Sequence, residues 1–139
     1  MTPAAAFRSR LLTATTSLVG ARVREVLDPA DAFPAVTYLQ VSRVDDDTLG
    51  AADGEPYCRF QTDCWATTGP GAEAVADLVR SIRTTDAPLL PLVWGGTNGL
   101  TVQDIRSDDD GRSSYEPPRD ASERGLFRVS LDLLVSFRT

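Results

Sequence analysis

Between Tyr57 and Arg83 the spacing of apolar positions changes from two residues to about 3.6. Phe60, Thr62, Cys64 and Ala66 fall on one side of an alternating run, with Arg59, Gln61, Asp63 and Trp65 on the other, which predicts a strand over 58–66. Thr67-Thr68-Gly69-Pro70-Gly71 interrupts the alternation and predicts a turn. Ala72, Val75, Ala76, Leu78, Val79 and Ile82 then recur at helical spacing, leaving Asp77, Arg80 and Arg83 for solvent. A strand turning tightly into an amphipathic helix is the nucleus of a small α+β domain.

The rest of the chain builds outward from this unit. Thr2-Pro3 suits a helix start, and Phe7, Leu11, Leu12, Leu18 and Val19 make a one-sided stripe that stops at Gly20. Asp28-Pro29 and Phe33-Pro34 mark a loop over 21–34, within which Val23, Val26 and Leu27 suit a short strand. Val36–Val44 is the next strand, closed by Asp45-Asp46-Asp47 and a long hairpin loop over 45–56. After the second helix, the two prolines in 87–93 predict an extended connection, and 94–99 a glycine-rich turn. Leu100–Arg106 is a strand in which Ile105 is out of phase with Leu100 and Val102, as a bulge would make it. Residues 107–123 are polar, acidic and broken by Pro117-Pro118, which predicts a loop. Phe127, Val129, Leu131, Leu133, Val135 and Phe137 then occupy every odd position, and Leu134 alone breaks the alternation. The expected fold is one α+β domain over 1–139 in the order α-β-β-α-β-β, with two helices on a mainly antiparallel four-stranded sheet.

Composition removes several functions. A net charge of −6, with 14 basic residues that are all arginine, argues against stable nucleic-acid or anionic-membrane binding. The chain holds no apolar run of membrane-spanning length and opens on no signal-like segment, so synthesis in the cytoplasm is expected. It has no histidine, and its two cysteines, Cys58 and Cys64, stand six apart in one predicted strand, about 20 Å from each other. They are expected to be free, buried thiols rather than a disulfide, a zinc site or a nucleophile.

No catalytic, cofactor-binding or metal-binding residue is assigned. Asp45, Asp46 and Asp47, like Asp108-Asp109-Asp110, read as solvated hairpin tips, with divalent-metal binding in a small metal-assisted enzyme as the alternative. The glycines at 95–99 lack the lysine and following helix of a phosphate loop. Trp65 and Trp94 are candidates for interface anchors or for packing. The closing strand, long for so small a domain, suggests apolar edge and face left over for partner subunits, with Leu134 marking the surplus face.

Four features, in order, resemble the tail-terminator (tail-completion) proteins of long-tailed bacteriophages and phage-like particles. They are the helix FRSRLLTATTSLVG followed by Arg22-Val23, the proline-led strand from Phe33 to Tyr38, the strand Arg59–Ala66 with its following helix, and the closing strand Gly125–Leu133. The resemblance implies a structural virion protein without enzymatic activity. It implies a homohexameric ring, monomeric in isolation, that contacts the tail-tube protein and the head–neck connector at the tail end near the neck. A head-closure or neck ring protein is the alternative within the same particle.

Overall fold

Thr2 starts the first helix, α1 (Pro3–Val19), by accepting a hydrogen bond at Oγ1 from the Ala5 N–H at 3.1 Å. Gly20 ends it with φ +58°, a backbone conformation that L side chains rarely adopt, and donates its N–H to the Thr16 carbonyl. The buried line is Phe7, Leu11, Thr15 and Val19; Leu18, expected on the stripe, sits off this i, i+4 line and is exposed. The second helix, α2 (Gly69–Asp86), begins inside the expected turn. Thr68 caps it through the Gly71 N–H, and Pro70 in the first turn sacrifices no helical hydrogen bond. Ala72, Val75, Ala76, Val79 and Ile82 face the core.

This computed structural model describes residues 1–28, 32–44, 57–118 and 125–138, with the backbone alone for 42–44 and 108–110. The sheet is larger than the sequence suggests. Among the described residues it has six strands, β1 (Val23–Arg24), β2 (Ala35–Val44), β3 (Tyr57–Ala66), β4 (Leu92–Trp94), β5 (Leu100–Glu116) and β6 (Leu126–Phe137), in the order β1-β2-β3-β6-β5-β4. β1 pairs with β2 in parallel and the remaining neighbours are antiparallel, so the sheet is mixed. The chain order is α-β-β-β-α-β-β-β.

Two strands beyond the expected four are short edge pieces. β1 gains its place from two residues paired to Val36 and Thr37. β4 follows a 3-10 turn over Ala87–Leu89, and its three residues pair with the start of β5 although Pro88 and Pro91 stand just before them. The expected loop over 107–123 is corrected as well. β5 continues to Glu116 because β6 supplies a ladder for it, with irregular register between Val102 and Asp104 and twice between Ser107 and Arg112. The first irregularity is the bulge that Ile105 called for. The expected hairpin loop at 45–56 and residues 119–124 of the expected second loop lie outside the described residues.

Both helices lie on one face of the sheet. α1 touches β1 and β2 at one edge and β4 at the other, so the sheet curls around the helix pair. Phe7 stacks on Phe60 with centroids 4.2 Å apart and planes 7° from parallel, and Trp94 meets Phe137 edge-on at 5.9 Å. The core on this face includes Cys58, Cys64, Val129, Leu131, Leu133 and Val135, and α2 packs against β3, β5 and β6. β6 is therefore a central strand. Its edges are hydrogen-bonded to β3 and β5, and its odd residues fill the subunit's own core, so its length leaves no surplus edge for a partner.

Candidate interaction surfaces

The sheet face away from the helices carries the polar members of the alternating strands, yet much of it is shut off from water. Tyr57, Trp65, Ser130, Leu134 and Ser136 are all buried there. Side-chain pairs across the strands make the cover, some between neighbours and one reaching over β6 from β3 to β5. Tyr57 donates its hydroxyl proton to Asp104, and the Arg106 guanidinium lies 4.9 Å above the Tyr57 ring while bonding Asp104 at 2.9 Å. Arg59 reaches Asp132 at 3.8 Å, and Ser130 donates to Asp63 at 2.6 Å. Arg128 lies 5.3 Å over the Trp65 ring and donates to Ser114, with Glu116 at 3.5 Å. Long arginine stems laid on aromatic faces bury those faces while keeping the charge near water.

The sequence-derived interface residues are scattered by this arrangement. Trp94 is a core residue. Its Nε1 donates to Asp86 at 2.9 Å, and its ring packs with Phe7 and Phe137. Trp65 sits on the opposite face, buried, donating Nε1 to the Thr37 hydroxyl at 3.0 Å. Leu134 is 7% exposed within the single subunit, so it anchors the polar face instead of presenting an apolar one. Asp45, Asp46 and Asp47 lie outside the described residues. Cys58 and Cys64 are free and buried, and burial pushes the Cys64 thiol far above its usual range, with the Asp63 charge adding to the rise.

Sequence reasoning missed Asp86. It accepts two hydrogen bonds from Arg10, at 2.7 and 3.0 Å, besides the one from Trp94, and so ties the end of α2 to α1 and β4. A carboxylate in the last turn of a helix opposes the helix dipole, and that misfit is the signal that could have pointed to a buried cationic partner.

An open hollow of about 460 Å³ lies between α2 and β5, lined by Arg80, Arg83, Thr84, Ser107, Gly111 and Leu133. Arg80 there is held by Glu73 at 2.6 Å and Asp77 at 2.8 Å. Burial acts against its charged form, but these two carboxylates outweigh that and leave its pKa above the ordinary value. Among the described residues no group of three or more potential metal ligands converges. No described helix is long and apolar enough to cross a membrane.

The exposed large apolar side chains map to the two lateral edges more than to the faces. Leu39 and Val41 stand on β2, Val26 just beyond β1 and Leu18 at the α1 end that leads into it, whereas Leu89 precedes β4 and Val93 lies on it. None is on β3, β6 or α2. Curled mixed sheet, helix pair and sticky edges describe a structural subunit built for contacts.

The comparisons give the class a family. The model of the tail completion protein gp17 family matches residues 5–115, and the chain belongs to that family of structural phage tail proteins. No curated protein matches it. Among solved structures, a chain of the virion of a native gene transfer agent particle is similar over 98% of this chain and 97% of its own length. Its TM-score is 0.56 at 15% identity, a likeness of fold.

Proposed function

We propose that this protein is a virion subunit that closes the tail tube as a ring, ends tube polymerisation and offers the surface on which the head is joined. Its family membership over residues 5–115 carries this reading. The fold likeness to a gene transfer agent virion chain along almost the whole length of both supports it. The ring is homohexameric, lies between the tail-tube protein and the head–neck connector, and forms in the cytoplasm of the host. A ring needs two different surfaces on each subunit, and the two lateral edges of this curled sheet are different and both sticky. In isolation the subunit is monomeric, because a weak contact repeated around a ring closes on a template that holds the copies together.

Deletion of the gene from the parent particle is the test. The expected result is intact heads and intact tubes of abnormal length that fail to join. Tails of normal length joined to heads would overturn the reading. Complete tails beside heads that leak their DNA would replace it with a neck role.

A further inference from the structure

From Ala87 to Gln103 the chain carries no charged side chain, the longest such run in a sequence that is 24% charged. Its first part is a surface loop. Ala87, Pro88, Leu89, Pro91 and Val93 are exposed, Leu89 at 64% and Val93 at 52%, while Leu90 and Leu92 pack against the core. Depletion of charge, more than bulk hydrophobicity, marks the centre of a protein–protein contact.

The loop is also held still. Trp94 Nε1 donates to Asp86 at 2.9 Å and closes the base of the loop, and Arg10 clamps the same carboxylate from α1. Leu92–Trp94 is paired to β5, and Pro88 and Pro91 fix the backbone φ between these anchors. A stiff loop loses little conformational freedom when it docks.

Charge selects the surface that receives it. The sheet face away from the helices is latticed from β3 to β5 by Arg59–Asp132, Arg106–Asp104 and Arg128–Glu116, and an apolar loop laid there would take paired charges out of water. β2 differs. Residues 32–42 are uncharged, and Leu39 and Val41 are 55% and 49% exposed. Leu39 stands two residues from Thr37, which bonds Trp65 on the face away from the helices, so Leu39 projects from that face whatever lies along the edge of its strand. β2 and β4 lie toward opposite sides of the sheet, so the loop of one copy meets Leu39 of the next head-to-tail, the contact a ring needs. The size of the patch agrees. The loop offers on the order of a few hundred Å² of apolar surface, short of the ~800 Å² per partner of a stable pair, so the contact holds where a template repeats it.

We infer that the apolar loop at 87–93 docks on the Leu39 and Val41 side chains of a second copy of this chain. This rests on the ring reading above and names its lateral contact.

Leu89→Arg and Leu39→Glu each place a charge where the contact has to be dry. Both sites are exposed in the single subunit, so each variant should melt within about 5 °C of the wild type. Each should fail to complement a deletion of the gene, and the two combined, charge facing charge, should restore complementation. Complementation by Leu89→Arg alone would overturn the docking, and a double variant as dead as the singles would overturn the pairing with Leu39. Independently, Leu89→Cys with Leu39→Cys supplies two reactive thiols, since Cys58 and Cys64 are buried. A short bismaleimide should convert this variant, in assembled particles, to a ladder of multimers of this chain. Monomer only, or adducts only with a different virion protein, would overturn a second copy as the occupant and leave the terminator reading standing. If the deletion itself leaves normal joined tails, the terminator reading falls, and cross-linking of the concentrated protein alone decides the contact: multimers uphold it, monomer overturns it.

Discussion

Arg10 on α1 grips Asp86 at the end of α2 through two guanidinium N–H groups, Nε and Nη2, at 2.7 and 3.0 Å, with side chains only 17% and 7% exposed. Trp94 bonds the same carboxylate from β4. One acidic residue thus joins three elements that the sequence separates by up to 84 positions.

Removing that acid should cost more than removing the pair. Asp86→Ala leaves a buried arginine and a buried indole N–H without their acceptor, a loss of about 3–5 kcal/mol in urea unfolding. Arg10→Met combined with Asp86→Leu should lose less than Asp86→Ala alone. Equal losses for the two proteins would show that packing, not charge burial, dominates at this site.

Thr62 offers the opposite case. Its side chain is fully buried under the helices, and its hydroxyl finds no partner among the described residues. Thr62→Val keeps the shape and removes the stranded polar group, so a gain of about 1 kcal/mol is expected from denaturant midpoints. A destabilised Thr62→Val would mean that the hydroxyl is bonded in solution.

Cys64 gives the protein an alkaline liability. Its native pKa is raised by burial, while in the unfolded chain a thiol ionises near pH 8.5. The native state then holds a proton that the unfolded state releases, so stability is complete below about pH 8.5 and declines as pH rises above it. Cys64→Ala should flatten that decline between about pH 8.5 and 10, after which tyrosine and the remaining groups take over. Thiol titration should find both cysteines slow in the native protein and fast in denaturant; prompt native reaction would contradict their burial.

The Arg128–Trp65 stack should be visible by fluorescence. Arg128→Ala removes the partly exposed side chain that covers the buried indole, so a red shift of emission is expected with a stability loss of about 1 kcal/mol or less. Trp94, deep in the core, should contribute an unchanged blue-shifted component. An unshifted spectrum would show that Trp65 is covered by something other than this arginine.

Local chemistry by itself determined a good deal of this protein. Thr2 and Thr68 cap, Gly20 stops, and the apolar periods of α1, α2, β3 and β6 state which residues turn inward, because each of these choices depends on neighbours within a few positions. The out-of-phase Ile105 announced its bulge, and the whole-chain order of such features carried the family resemblance. Pairing was another matter. β1 and β4 are too short to show a period, and β5 runs through an acidic, proline-flanked segment; all three are strands because a neighbour supplies their hydrogen bonds. The same dependence reversed the meaning of the closing strand. At the end of the chain it looked like a spare edge, and only the sheet order places β3 and β5 on its two sides, with β1 and β4 outermost among the described strands. Burial of Trp65 and Asp86 was likewise decided in three dimensions, since the arginine that covers one comes from another strand and the arginine that pairs with the other from another helix.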